Sequence, residues 1–258
     1  MGRVLAVTAA LSLVVAIFAS PSPVDAKPNP KPHPTPKPTP TPTATPVPGT
    51  LNGIDISYHQ GSIDWSRVAG AEKTFAFVRA SAGTLTSDPA YRSNVAGARA
   101  VGLKAGSYHF GNPDSAPDDA VNEARWFLQN ATLVSGDLIP VLDLEVSNGL
   151  SAAALTTWAQ TWLTEVESAT GVRPLIYTNP TFWSGSMGGT DWFARNGYRL
   201  WVAHWTSASQ PTVPAANWAG NGWTFWQHSS RGTVPGVNGE VDLDRFNGTS
   251  LPDSLFVP

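Results

Sequence analysis

The chain has 258 residues, no cysteine, and 16 basic against 19 acidic side chains. The lack of thiols excludes disulfide crosslinks and thiol chemistry, so the fold must stand on its core alone. From Leu51 onward twelve basic residues face eighteen acidic ones, a balance that argues against gripping nucleic-acid phosphates.

Residues 1–26 read as a signal peptide. Arg3 is the basic start, residues 4–19 are the apolar stretch, and Val24-Asp25-Ala26 places small residues at the expected cleavage positions. The apolar run is short for a membrane span and no basic stop follows it, so cleavage is expected rather than anchoring. No later segment is apolar enough to cross a bilayer. Residues 27–50 are Pro, Thr and scattered Lys with almost nothing to bury, which predicts an extended, polyproline-like linker.

From residue 51 to 258 strand-like and helix-like segments alternate. Strands are predicted over residues 51–57, 75–80, 103–110, 139–145, 175–178, 200–204, 224–228 and 240–244. Asp64 caps a short helix over 63–71, and Asp88-Pro89 opens one over 88–100. A helix over 117–131 has Val121, Ala124, Leu128 and Ala131 on one face. The clearest helix, 151–170, carries a stripe of Leu155, Trp158, Trp162 and Val166 and ends at Gly171. The alternation predicts an α/β fold: an irregular single-domain (β/α) barrel of about eight strands, mostly parallel, with its helices mainly in the N-terminal half. In such barrels reactive groups gather at the carboxyl ends of strands. Here those ends carry Asp55, Tyr108, His109, Asp143, Glu145, Tyr177, His204, Gln227 and Asp242.

The stretch Ile139-Pro140-Val141-Leu142-Asp143-Leu144-Glu145 is central to the reading. Side chains alternate across a strand, so Asp143 and Glu145 leave on one side and Leu142 and Leu144 on the other. Two partly buried carboxylates on one face repel, and both effects raise a pKa enough to hold a proton for a leaving oxygen. From this segment alone the plainer account, a solvated strand-end acid beside a turn-capping one, carries equal weight.

Nine of the eleven tryptophans lie beyond residue 150. The helical spacing of Trp158 and Trp162 assigns them to the core, whereas Trp201, Trp205, Trp223 and Trp226 flank strand ends and could either pack or stack on sugar rings. No Gly-x-Ser-x-Gly elbow, phosphate-cradling loop or His-Glu-x-x-His helix occurs. His59, His109, His204 and His228 are dispersed singly, so no metal and no cofactor are expected. What remains is the acid set Asp55, Asp143, Glu145 and Asp242, and a carboxylate pair suits glycoside hydrolysis.

Five motifs then make a resemblance specific: Gly53-Ile54-Asp55-Ile56-Ser57 with Gln60, Ser107-Tyr108-His109-Phe110, Leu142-Asp143-Leu144-Glu145, Trp226-Gln227-His228, and Val241-Asp242-Leu243-Asp244. In this order they resemble glycoside hydrolase family 25, secreted lysozymes (N-acetylmuramidases) with an irregular β/α barrel. His228 departs from the pattern, standing where Tyr is frequent. The resemblance implies Glu145 as general acid, with Asp143 orienting the substrate's 2-acetamido group for attack on the anomeric carbon and Tyr108 assisting. It implies Asp55 and Asp242 holding the acids and sugar in place, and His109, Tyr177, Trp205 and Gln227 contacting substrate. A second carboxylate activating water, with inversion, stays open at this point. Relatives that act on chitin carry a longer run of alternating acids; Leu138 and Val141 occupy those earlier positions here. The implied partner is peptidoglycan, acted on by a secreted, extracellular or wall-associated monomer, with the basic linker a tether that could also touch anionic wall polymer. A non-catalytic wall-binding module and a hydrolase of another amino-sugar polymer are the alternatives.

Overall fold

A computed structural model describes residues 49–251 and 254–258; the expected signal peptide and nearly all of the 27–50 linker lie outside them. Nine strands form: β1 (Leu51–Ile56), β2 (Phe75–Ala82), β3 (Thr86–Ser87), β4 (Lys104–Phe110), β5 (Val141–Asp143), β6 (Leu175–Thr178), β7 (Leu200–Ala203), β8 (Phe225–Gly232) and β9 (Val241–Phe246). All but β3 close into a barrel in the order β1-β9-β8-β7-β6-β5-β4-β2, sealed by the pairing of β1 with β2. The two-residue β3 pairs only with the end of β2.

The expected mostly parallel arrangement holds for the barrel strands β1, β2 and β4 through β8, and β9 is the barrel strand that departs from it. β9 runs antiparallel to both β8 and β1. The connection from Gly232 to Val241 is too short for a helical crossover, so the chain turns straight back on itself. The consequence for function is direct: the amino end of β9, not its carboxyl end, reaches the mouth where the other strands finish, and Asp242 pairs in register with Asp55.

Strand alternation sorts the core into two layers. Phe75, Phe77, Val141, Leu175, Trp201, Phe225 and Phe246 point into the barrel. Their rings interlock, with Phe77 stacked on Trp201 at 4.2 Å and Phe225 at 5.1 Å from Phe246. The plug fits because Gly53 and Gly106 have no side chain. A Cβ at Gly53 would fall 2.2 Å from the Phe75 ring, and one at Gly106 would fall 2.3 Å from Phe77. The barrel floor is therefore solid and largely apolar, and most of the inward polar groups collect above it.

Outward-facing Ile54, Val78, Leu142, Leu144, Ile176 and Val202 pack beneath the helices. These are α1 (Trp65–Gly70), α2 (Tyr91–Ala100), α3 (Asp119–Asn130) and α4 (Ala152–Thr170), then the short α5 (Pro180–Gly185), α6 (Trp192–Arg195) and α7 (Pro214–Ala219). α4 follows its sequence signals closely: the Ser151 hydroxyl accepts from Ala154 N–H at 3.3 Å, Gly171 closes it at φ 71°, and the predicted stripe is buried. α2 starts later than predicted. The Asp88 carboxylate caps no helix; it accepts from Ala90, Tyr58 and Arg79 instead. No helix among the described residues is long and apolar enough to cross a membrane.

Candidate active site

A cleft of about 330 Å³ opens at the barrel mouth, lined by Asp55, Tyr108, Asp143, Glu145, Tyr177, Trp205, Gln227 and Asp242 among others. Eight of the nine residues expected at the site thus converge there. A roomier hollow of about 590 Å³ beside α1 contains none of them.

Asp143 ends β5, where the ladder holds it by backbone on both sides: Phe110 pairs with it from β4 and Tyr177 from β6. The Gly111 N–H donates to the Asp143 carbonyl at 2.8 Å, and the Leu144 N–H to the Tyr177 carbonyl at 2.9 Å. Glu145 lies just past the ladder, half-buried, while Leu142 and Leu144 face the helices as the alternation requires. Burial pushes the Asp143 carboxyl well above the usual carboxylate range, the Glu145 charge adds to this, and the Arg79 guanidinium opposes it. Glu145 is raised too, by burial and then by Asp242. Asp143 Oδ1 is buried with no hydrogen-bond partner among the described residues. Asp143 also lines the cleft, so this unpaired oxygen is a group that a donor brought by a substrate could satisfy.

Opposite this pair stand Asp55 and Asp242, on adjacent strands. Asp242 is pushed up to about 6 by burial, with a hydrogen bond from Asp55 working against the shift. Gln227 organises this side. Its Nε2–H donates to Asp55 Oδ2 at 2.8 Å, and its Oε1 accepts from the Tyr177 hydroxyl at 3.1 Å and from Trp205 Nε1–H at 2.9 Å. One buried amide thus orients a carboxylate, a phenol and an indole at once. Trp205 is 61 % exposed yet tethered through its N–H, which leaves an aromatic face open at the rim. Of the other strand-end tryptophans, Trp201 and Trp226 are 1 % exposed and Trp223 7 %, so these three are chiefly core.

His109 is the correction. It is adjacent to Tyr108 on β4, so when Tyr108 points into the cleft His109 must point out. It is fully buried between strand and helices, with Nδ1 2.8 Å from Ser81 Oγ and Nε2 2.8 Å from Glu123 Oε2, and its ring stacks on Trp162. Glu123 also accepts from the Asn112 N–H, so the pair fastens the loop after β4 rather than touching substrate. His204 also turns aside, its Nδ1 accepting from the Thr212 N–H.

Arg79 is a site residue that its sequence context left within a strand. It shares the inward face with Phe75 and Phe77, and its Nε–H donates to Asp88 at 3.2 Å. The guanidinium sits 5.2 Å over the Tyr58 ring, so Arg79, which lines the cleft, is held from two sides. Tyr58 and His59 belong to a 3-10 turn fixed by a reciprocal cap, in which Ser57 N–H donates to Gln60 and His59 N–H to Ser57. No group of three or more His, Cys, Asp or Glu arranged for a metal ion occurs among the described residues.

Two adjacent acids whose carboxyls burial raises, two more acids facing them, and an aromatic rim describe a site for acid-assisted cleavage of a sugar polymer. Comparison with known proteins agrees. The profile of Glycosyl hydrolases family 25 matches residues 54–237. YegX of Escherichia coli O157:H7 is 39 % identical over 213 residues, spanning 81 % of this chain and 74 % of that one. Lysozyme M1 of Streptomyces globisporus is 36 % identical over 209 residues, 78 % of this chain and 69 % of its own. The crystal structure of a bacterial lysozyme from Streptomyces coelicolor superposes with a TM-score of 0.72 at 35 % identity, covering 78 % of this chain and 93 % of that one. With both its barrel and its sequence matching that family, the chain belongs to family 25 of the glycosyl hydrolases and is a glycoside hydrolase.

Proposed function

We propose that this enzyme is a lysozyme cleaving the β-1,4 bond between N-acetylmuramic acid and N-acetylglucosamine in peptidoglycan. The observation that carries the reading is the delivery of Asp143 and Glu145 from one buried strand into a single cleft faced by Asp55 and Asp242. In this mechanism Glu145, the more exposed of the raised pair, donates its proton to the leaving oxygen. Asp143 takes up the N–H of the 2-acetamido group with its orphaned oxygen, turning the acetamido carbonyl toward the anomeric carbon. That carbonyl bonds to the anomeric carbon as the glycosidic bond breaks. Water, deprotonated by Glu145, then opens the ring so formed, with net retention. Tyr108 and Tyr177 wall the cleft, their hydroxyls kept protonated by burial, and Trp205 offers a stacking face. The names of related proteins, among them a lysozyme and N,O-diacetylmuramidases, favour this substrate. The reading includes export directed by residues 1–26 and a 27–50 tether.

Digestion of purified peptidoglycan, followed by mass spectrometry of the new reducing ends, tests it. N-acetylmuramic acid at the new ends is expected. Glucosamine ends would indicate a different bond specificity, and intact glycan would return the chain to the wall-binding alternative.

A further inference from the structure

Asp244 has no part in the mechanism above, yet it is the most deeply buried acid of the barrel, at 0 % exposure. β9 sends Asp242 and Asp244 to the same inner face, Asp242 at the mouth and Asp244 one step deeper. Across the ladder Asp244 pairs with Gly53, which has no side chain, so the nearest side chain on the inner face of β1 is Asp55. Asp244 Oδ1 accepts from Trp201 Nε1–H at 2.9 Å, whereas Oδ2 is buried with no donor among the described residues. Asp55 Oδ2 accepts from Gln227, and Asp55 and Asp244 are neighbouring buried acids on the inner face of the β1–β9 ladder. Two buried carboxylates side by side repel, and a proton between them relieves that repulsion. Such a proton also gives the orphaned Oδ2 its partner.

We propose that Asp244 is a positioning residue: its carboxyl and that of Asp55 share one proton, and the pair fixes Asp55 in the floor of the sugar cleft. The charged surroundings are consistent on every side. From β9, Asp242 disfavours a further negative charge; from the segment before β2, Lys73 favours one; β7 contributes only the Trp201 N–H and β8 only the neutral Gln227 amide. Burial dominates these influences, pushing Asp244 up to about 8 and Asp55 well above the carboxylate range. While the proton is present, Gln227 and Asp244 grip Asp55 from two sides. Once it leaves, two buried like charges repel and Asp55 is displaced from the sugar. The inference about Asp55's task rests on the lysozyme reading; the shared proton does not.

The test is Asp244→Asn, which keeps an acceptor for Trp201 and gives Asp55 an N–H in place of the shared proton. Two quantities are compared with wild type: unfolding free energy in urea and kcat/KM on peptidoglycan, each from about pH 5 to about pH 9. A raised acid favours the folded state at low pH and loses that contribution as pH climbs through its folded value. Wild type is therefore expected to lose stability relative to the variant up to about pH 8, and the variant-to-wild-type ratio of kcat/KM to rise about threefold or more above it. A stability difference independent of pH would mean that Asp244 is ionised throughout and overturns the pair. Superimposable activity profiles overturn the positioning role. Carboxyl ¹³C shifts compared between wild type and Asp244→Asn decide the same question spectroscopically: a protonated Asp signal that persists past neutral pH in wild type must be lost or moved in the variant, and the same protonated signals in both proteins refute the pair. Wild type inactive on peptidoglycan refutes the lysozyme reading alone, because the stability and shift measurements still decide the pair.

Discussion

Replacing Gln227 by Met removes the amide that joins three site residues while nearly preserving volume. The cost can be worked from its bonds. The 2.8 Å bond to Asp55 is to a carboxyl 5 % exposed, and a hydrogen bond to a charged group contributes about 1.5–3 kcal/mol. The Tyr177 hydroxyl, on a residue 7 % exposed, loses its acceptor and incurs about 1–3 kcal/mol of desolvation. Trp205 is largely exposed and can turn its N–H to water, so its share is small. The total is about 3–5 kcal/mol, or roughly 10–15 °C in Tm for a domain of this size. The loss should depend on pH with a definite sign. The Gln227 bond is what holds Asp55's raised pKa down, so its removal favours the protonated form further. The penalty therefore grows as pH rises through the range in which Asp55 titrates in the folded state, and shrinks as pH falls below that range. Urea unfolding at several pH values measures both size and slope. A loss below about 1 kcal/mol, or one that does not change with pH, would refute the role given to this amide.

Other expectations follow from the same geometry. Trp205→Ala should raise KM about 3–10-fold with kcat nearly unchanged and stability within about 0.5 kcal/mol, because the side chain is exposed and its ring offers stacking alone. His109→Phe should cost about 3–5 kcal/mol by stranding the buried Glu123 carboxylate, yet leave KM near wild type in the folded fraction, since no part of His109 reaches the cleft. Asp242 is raised in the folded state to about 6, so its stability contribution is complete below the unfolded value of 3.8 and lost as pH climbs through 6. Asp242→Asn should flatten that part of the stability–pH curve; an unchanged slope would show that Asp242 titrates normally.

Much of this site was legible because its elements announce themselves. The apolar run before Asp143 and the i, i+2 spacing of the acids give the strand, the face and the pairing at once. α4 was equally plain, having a capping serine, a four-residue apolar stripe and a closing glycine. What stayed hidden depends on relations between strands. Nothing within residues 240–244 reveals that their strand runs antiparallel; only the short return from β8 dictates it. Asp242 was still placed at the mouth, although by the opposite end of its strand from the one expected. His109 was misplaced despite a usable signal, since neighbours on a strand cannot both face inward. The same parity, run forward from Phe75 and Phe77, would have found Arg79. α5, α6 and α7, of four to six residues, are too short to show a helical period.

The proposed mechanism stands or falls on a proton given up by Glu145. Glu145→Gln keeps the shape of the cleft and its neutral charge state but cannot give up a proton. The rate of release of reducing ends from purified peptidoglycan should fall by about 10²–10⁴-fold, while the folded protein still sediments with the insoluble wall. Release at the wild-type rate would mean that another group protonates the leaving oxygen, and the assignment built on this strand would be wrong.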